Sequence, residues 1–350
     1  MFAAKPNGYA AALQNFQLAM LVKPYFEPKT MRRKLQMKGM QMSELAEKVK
    51  VAIKYLRGME GAAGEDGYYV CYSGGKDSDT IRALCELAGV KYELHHNHTT
   101  ADAPETVYHV RSIPDVIIHY PKLTMWQLIV LKGFPPTRLT RYCCEYLKEH
   151  GGEGRFKVMG VRKAESPKRA ERYDLISVIG GKQEAIKVMA EKLDCAYRVT
   201  KDGIAMHGDD CATRDLVEAC YRKSAAHTSL NPIVDWSDND VWEFLRYYNV
   251  TTNPLYEEGA CRVGCIGCPL SGGKQMKREF TRFPKYRQIY VQAFDRMIEI
   301  SKEKGKFRDD GTWQTGEDVM RWWCGDDPRQ ITLHDYELIE LSAVREEDLE

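Results

Sequence analysis

Tyr69-Val70-Cys71-Tyr72-Ser73-Gly74-Gly75-Lys76-Asp77-Ser78 is the stretch that decides the fold. A β-rich run from Gly67 to Ser73 ends in a glycine pair, and Ser78 to Ala88 then takes up helical spacing. Strand, glycine turn and helix in that order present several backbone N–H groups at a helix N-terminus. Those groups and the helix dipole favour a phosphate, and glycine lets the backbone approach it closely. Lys76 adds a point charge. The Gly-x-x-x-x-Gly-Lys-Ser/Thr spacing of a Walker loop is absent, as is the Gly-x-Gly-x-x-Gly of a dinucleotide site, so Walker-type ATPase and hydride-transfer chemistry both lose ground.

Outward from this loop, strand and helix signals alternate. Lys91 to Asn97 is a second β-like run, and a helix follows near Pro104 to Arg111. Pro114 to Tyr120, with Asp-Val-Ile-Ile-His inside it, reads as an almost continuous apolar strand buried on both faces. Arg141 to His150 is helical, and Phe156 to Val161 makes a fourth strand. The expected class is α/β: a parallel, Rossmann-like sheet flanked by helices, with its ligand site at the carboxyl ends of the strands. The expected division is a helical N-terminal extension over residues 1–65, an α/β nucleotide-binding domain over 66–235 with a helical insertion at about 175–225, and a C-terminal helical subdomain over 236–350 whose cysteine-rich loop spans 259–273. Asn231 to Asp235 is read as a short strand. Ser237 then caps the helix Asp238 to Tyr248, with Asp240 at its third position and Trp236 placed to staple onto Val241. Two more helical stretches run to about Trp323.

Lys plus Arg total 51 and Asp plus Glu 50, a net charge of +1 in 350 residues, with 43% hydrophobic and 29% charged residues. This is ordinary globular composition and excludes disordered, collagenous and coiled-coil classes. It makes no global case for nucleic acid, which must be argued from local patches. Pro6 to Val22 is uncharged, but Gln14, Asn15 and Gln17 interrupt it, so it reads as an amphipathic helix of a cytoplasmic protein and not as a signal peptide or a membrane span. Basic residues from Arg32 to Arg57 read as a solvated helix face, with contact to a phosphate backbone the other reading, and the acidic tail Glu346, Glu347, Asp348 and Glu350 is the one low-complexity feature. Eleven cysteines, an odd number, point to thiols and metal ligation over a disulfide framework.

Ser-Gly-Gly-Lys-Asp-Ser after an apolar strand resembles the PP-loop of the adenine nucleotide alpha-hydrolase superfamily, which holds the N-type ATP pyrophosphatases and the phosphoadenosine phosphosulfate (PAPS) reductases. The resemblance runs over roughly residues 66 to 290. It implies that Ser73, Gly74, Gly75, Lys76, Asp77 and Ser78 bind a nucleotide, either ATP or one like PAPS. Asn97-His98-Thr99-Thr100 before Pro104-Glu105-Thr106 is similar to the family's second-strand segment, placing Asn97 and Thr99 along the adenosine; His98 reads equally as a packed strand-end histidine. Gly160-Val161-Arg162-Lys163-Ala164-Glu165-Ser166 resembles the segment after the fourth strand, and implies nucleotide contacts from Gly160, Arg162, Glu165 and Ser166. Arg155, Lys157, Lys168, Arg169 and Arg172 gather there as a basic patch. Asn231 to Trp236 and Asn253-Pro254-Leu255-Tyr256 resemble the C-terminal part of the family. By the same resemblance Lys76 and Arg162 offset charge on departing pyrophosphate, and Asp77 helps to place Mg²⁺.

Cys261-Arg262-Val263-Gly264-Cys265-Ile266-Gly267-Cys268 puts three thiols in a glycine-containing loop that can wrap an ion, and Cys143-Cys144 supplies a fourth ligand. A Cys-Cys pair upstream of Cys-x-x-Cys resembles the assimilatory APS reductases and implies a 4Fe-4S cluster, with zinc as the alternative. Cys143, Cys144, Cys265 and Cys268 follow the reductase pattern; Cys143 with Cys261, Cys265 and Cys268 is the favoured set. No Glu-Cys-Gly-Ile/Leu-His segment of the sulfonucleotide reductases occurs, and Cys324-Gly325 is the nearest candidate. The expected activity is therefore ATP cleavage to AMP and pyrophosphate that activates a substrate, nucleic acid favoured, for sulfur transfer with a sulfur donor protein. This is most similar to the DNA phosphorothioation sulfurtransferases. A PAPS or APS reductase, or a non-catalytic nucleotide- and nucleic-acid-binding module, is the alternative.

Overall fold

The computed structural model describes residues 40–149, 151–208, 211–223, 227–305 and 313–326. Its elements in chain order are α1 (Met40–Met59), β1 (Tyr68–Cys71), α2 (Lys76–Ala88), β2 (Tyr92–Asn97), α3 (Pro104–Ser112), β3 (Val116–His119), α4 (Met125–Lys132), α5 (Tyr142–Leu147), β4 (Lys157–Val158) and α6 (Pro167–Arg172). They continue as β5 (Ile176–Ile179), α7 (Gln183–Lys192), β6 (Arg198–Thr200), β7 (Gly203–Met206), α8 (Cys211–Lys223), β8 (His227–Leu230), α9 (Asp238–Tyr247), α10 (Gly273–Arg282), α11 (Pro284–Glu303) and α12 (Gly316–Trp323). Two compact units interleave along the chain: one takes the residues up to His95 and Gly152–Asn253, the other His96–Gly151 and the residues from Pro254 on. The helix read at Pro6 to Val22, the basic residues before Lys48 and the acidic tail lie outside the described residues.

In the first unit β1 is a central parallel strand, Tyr68 and Val70 fully buried. Val70 stands opposite Leu94 of β2 on one side and Val158 of β4 on the other, and β4 in turn pairs in parallel with β8. Strands covered on both faces read as apolar runs, which is why this half was visible in the sequence. Tyr68 Oη donates to Leu56 O at 2.6 Å and ties α1 to β1. α2 packs against α1 and α9. The strand order in this unit is β2-β1-β4-β8-β5-β7-β6.

The last three strands correct the expected helical insertion at about 175–225. β5 runs antiparallel to β8, Ile176 opposite Leu230, and β7 and β6 follow antiparallel, so the segment extends the sheet, with α7 and α8 between its strands. Four-residue runs such as Ile-Ser-Val-Ile, apolar at three positions, are too short to carry a period, and the helical signal of their neighbours hid them. Asn231 to Asp235 is likewise a turn after β8 and not a strand. Its buried Asn231 Nδ2 donates to Asp174 O at 2.7 Å. The cap forms as its local chemistry predicts: Ser237 Oγ accepts Asp240 N–H at 3.2 Å, and Asp240 Oδ2 accepts from Ser237 N at 2.7 Å and from Lys48 Nζ at 2.8 Å.

The second unit is helical around α11, which packs on α4 and α12. Its core is aromatic: Tyr290 and Trp323 ring centres are 4.9 Å apart and Phe294 and Trp323 5.4 Å. Trp323 Nε1 donates to Pro136 O at 2.6 Å, so the one polar atom of that ring is satisfied. Among the described residues three α-helices follow the cysteine loop, where two were expected. β3 lies in this unit and alternates half-buried and exposed residues, Ile117 being 42% exposed, so burial on both faces is corrected. An apolar run does not report what covers it. Among the described residues no helix is long and apolar enough to cross a membrane.

Ser237→Ala removes the acceptor at the start of α9 and is expected to cost about 1 kcal/mol. A urea melt should show a lower midpoint with an unchanged slope; an unchanged midpoint would mean that the cap contributes nothing.

Candidate functional site

In the first unit, β1 leads into Ser73, and Gly74 takes φ 72°, a left-handed conformation that glycine adopts freely. Gly75 is extended and caps α2, whose first residue is Lys76. Ser78 Oγ clamps the turn, donating to Gly75 O at 2.8 Å and accepting Gly75 N–H at 3.1 Å, with Ser73 Oγ 3.3 Å away. Asn253 Nδ2 donates to Gly74 O at 3.2 Å. The loop is thus held from within and from the end of the unit's second segment.

Two cations meet two carboxylates at this helix start. Lys76 Nζ is 3.0 Å from Asp77 Oδ2 and 3.1 Å from Asp238 Oδ1. Arg162 Nε donates to Asp77 Oδ1 at 2.7 Å, and its Nη2 to Asp238 Oδ1 at 3.0 Å. Lys76 and Arg162 are 6% and 3% exposed, whereas the side chain of Asp238 is 64% exposed. The cations are therefore buried beside a half-buried Asp77 and beneath an Asp238 that faces outward. Burial pushes the Asp238 carboxyl up, but Lys76 and Arg162 overcome this and hold it below its ordinary value. Gly160 makes the approach possible, because a Cβ there would lie 2.8 Å from Asp77 O.

Glu165 and Ser166 serve locally. Glu165 Oε1 accepts Arg162 N–H at 3.3 Å and pairs with Arg169 at 3.2 Å; Ser166 Oγ accepts Arg169 N–H at 3.3 Å as the cap of α6. Asp238, read only as a helix start, was missed as a member of the site, since an acidic residue in a first turn is already explained by the helix dipole. The basic patch is largely neutralised: Arg155 pairs with Glu93 at 2.9 Å and Arg172 with Asp202 at 3.2 Å. Lys157 is buried, and that burial lowers its pKa.

The second unit holds the thiols, together with Asn97 and Thr99. Cys143, Cys144, Cys265 and Cys268 line one cavity with Thr99, Lys148 and Tyr290. Cys261 of the favoured set is exposed and is not among the residues lining it, so the structure brings Cys143 and Cys144 together with Cys265 and Cys268 and leaves Cys261 apart. α5 carries that pair, and Gly267, at φ 73°, lets the other two thiols turn in; a Cβ there would sit 2.6 Å from the Phe280 ring. Ile266 N donates to Ala101 O at 2.8 Å and Tyr290 Oη to Ile266 O at 2.9 Å, anchoring the loop. A hydrogen bond from Cys143, opposed by burial but aided by Arg141 and Lys148, favours the thiolate at Cys144. Lys148 is kept protonated chiefly by Cys265. Four thiols around one cavity, with two cations to offset their charge, fit a thiolate-held metal centre. Thr99 Oγ1 is 3.3 Å from Cys265 Sγ, and Asn97 Nδ2 donates to Lys148 O at 2.9 Å, so both residues stand with the thiols in this unit.

A sequence profile of the phosphoadenosine phosphosulfate reductase domain matches residues 67–271. The chain is 25% identical over 251 residues to an uncharacterized protein of Methanocaldococcus jannaschii, a match covering 70% of this chain and 51% of that protein. It is 37% identical over 72 residues to the phosphoadenosine 5'-phosphosulfate reductase of Xylella fastidiosa (strain M12), covering 21% of this chain and 30% of that enzyme. Among solved structures, PAPS reductase from Candida auris aligns over 57% of this chain and 81% of its own at 14% identity, with a TM-score of 0.35.

Gly160→Ala should push the Asp77 carbonyl away and displace the loop. A urea melt is expected to show a lower midpoint, with about 1–3 kcal/mol of stability lost, since an added methyl must displace backbone there. An unchanged midpoint would mean that Gly160 does not shape the loop.

Proposed function

We propose that this chain, which belongs to the phosphoadenosine phosphosulfate reductase family, binds MgATP at Ser73 to Ser78 and cleaves it to AMP and pyrophosphate, activating an acceptor for sulfur transfer. The supporting observation is the charge order at the loop: Lys76 and Arg162 buried, Asp77 and Asp238 above them. A metal-free sulfonucleotide would meet two carboxylates of its own sign. Asp77 and Asp238 would hold magnesium, which would supply charge neutralisation at the phosphate oxygens, and Lys76 and Arg162 would then face the phosphates.

An acceptor oxygen attacks the α-phosphorus, the bond from that phosphorus to the bridging oxygen breaks, and pyrophosphate leaves with the electron pair. Lys76 and Arg162 offset the charge that grows on it. AMP is then the leaving group for a sulfur nucleophile. Cys143, Cys144, Cys265 and Cys268 are the proposed ligands of a 4Fe-4S cluster, which when bound supplies redox or sulfur-carrying capacity. Zinc on the same thiols would make them structural. Nucleic acid is the proposed acceptor, supported by the resemblance to DNA phosphorothioation enzymes; the neutralised basic patch lends it nothing. A sulfur donor protein is the proposed partner.

Sulfonucleotide reduction is the second reading, favoured by the reductases among the relatives. It needs a nucleophilic thiolate, and Cys324 does not offer one: it is 6% exposed, and burial pushes its thiol up to about 11.

With ATP, Mg²⁺ and a nucleic-acid acceptor the protein should release pyrophosphate, and Lys76→Ala should lower that rate by about 10²-fold or more. Release unaffected by the substitution would overturn the proposal, and sulfite formed from PAPS or APS with a thiol donor would establish the reductase. Protein purified without oxygen should carry about four iron and four acid-labile sulfide per chain; one zinc and no sulfide would refute the cluster.

A further inference from the structure

The second unit contains a third constellation beside the thiols, with Lys148 acting on both Asp102 and Cys265. His96 lies in β2 and His98 one residue past its end, where His98 N still donates to His119 O at 2.9 Å, so two extended residues put their side chains on the same side. The chain then turns back through Thr100, at φ 62°, and returns Asp102 to them. Asp102 Oδ2 lies 3.2 Å from His98 Nδ1, and ligand atoms of His96, His98 and Asp102 all fall within 4.8 Å of one another. His96 and Asp102 are buried at 4% and 5% exposure, while the His98 side chain is 21% exposed and gives the group an opening to solvent.

Two imidazoles and a carboxylate form the donor set of a divalent first-row ion, and three protein ligands leave at least one position open. Ligand atoms about 2.0–2.1 Å from a tetrahedral ion stand about 3.3 Å apart, close to the His98–Asp102 separation. A His–Asp hydrogen bond alone would account for His98 but would not require a second imidazole converging on the same carboxylate. The carboxylate is oriented by Thr99 N, which donates to Asp102 Oδ2 at 2.8 Å, and the backbone that carries it is held by Tyr286 Oη, which donates to the Asp102 carbonyl O at 2.7 Å.

We propose that His96, His98 and Asp102 bind one divalent transition-metal ion, separately from the thiols, with an open position for water or a substrate oxygen. Because Thr99 also touches Cys265, the test must tell nitrogen and oxygen ligation from sulfur ligation. Cobalt(II) does this: thiolate ligands give intense sulfur-to-cobalt charge transfer, and imidazole and carboxylate do not. The full chain, cleared of metal with a chelator, is titrated with cobalt(II) beside His98→Ala, Asp102→Asn and Cys268→Ser. The expected result is one cobalt per chain with ligand-field bands free of sulfur charge transfer, beside any cobalt that the four thiols take up with such a band. That signal persists in Cys268→Ser, and its affinity falls by about tenfold or more in His98→Ala and Asp102→Asn. His98 is partly exposed and Asp102→Asn is isosteric, so the melting temperature of at least one variant should stay near that of the parent. No such signal, a signal indifferent to both substitutions in a folded variant, or cobalt held only with sulfur charge transfer and lost in Cys268→Ser overturns the proposal.

Discussion

Two cations withdrawn from water, Lys76 and Arg162, set the terms for the first unit. Their partners arrive from separate places: Asp77 from the first turn of α2, Asp238 from the first turn of α9, with Arg162 itself coming from the loop beyond β4. Leaving one buried charge unpaired costs about 3–5 kcal/mol, so the three segments are held to a single meeting point. The carboxylates gain further from lying in first helical turns, where the dipole favours them. Ser78, Asn253 and Gly160 fit around this arrangement: two hold the loop by hydrogen bonds, and the third admits the Asp77 carbonyl.

The second unit solves a related problem with sulfur. Thiols gathered around one cavity repel as thiolates, and Lys148 and Arg141 are the counter-charges. Behind them the aromatic packing of Tyr290, Phe294 and Trp323 forms a stiff wall against which the cysteine loop is fixed. This division of labour, soft ligands in front and rigid rings behind, suits a centre whose geometry must not drift.

The parts of the molecule that were legible in the sequence are those whose meaning is local. The turn from Ser73 to Ser78 needs its glycines and its serine within six positions of chain, and the Ser237–Asp240 cap needs four. What stayed hidden depends on partners far along the chain. Asp238 pairs with Lys76 and Arg162, yet a first-turn aspartate looks complete without them. Cys261 has ideal spacing to Cys265 and Cys268, but spacing does not say which way a loop thiol faces, and it is Cys144 that faces inward. β5 and β7 are too short for a period to emerge, and their antiparallel pairing rests on β8, a strand that comes after both. The charged patch from Arg155 to Arg172 looked available because Glu93 and Asp202, which consume it, belong to other elements.

The interleaving of the two units has a consequence for how the chain reaches its fold as it leaves the ribosome. β1 and β2 emerge together, but β4 follows only after the whole of residues 96–151, which belong elsewhere, and β8 later still. Until then β1 presents a hydrogen-bonding edge with no neighbour, a liability for association with other chains. Residues 96–151 wait in turn, since α4 packs on α11, which is made near the end. Neither unit is a continuous length of chain, so no single cut separates them into pieces able to fold alone, and assembly is committed to long-range contacts that form slowly.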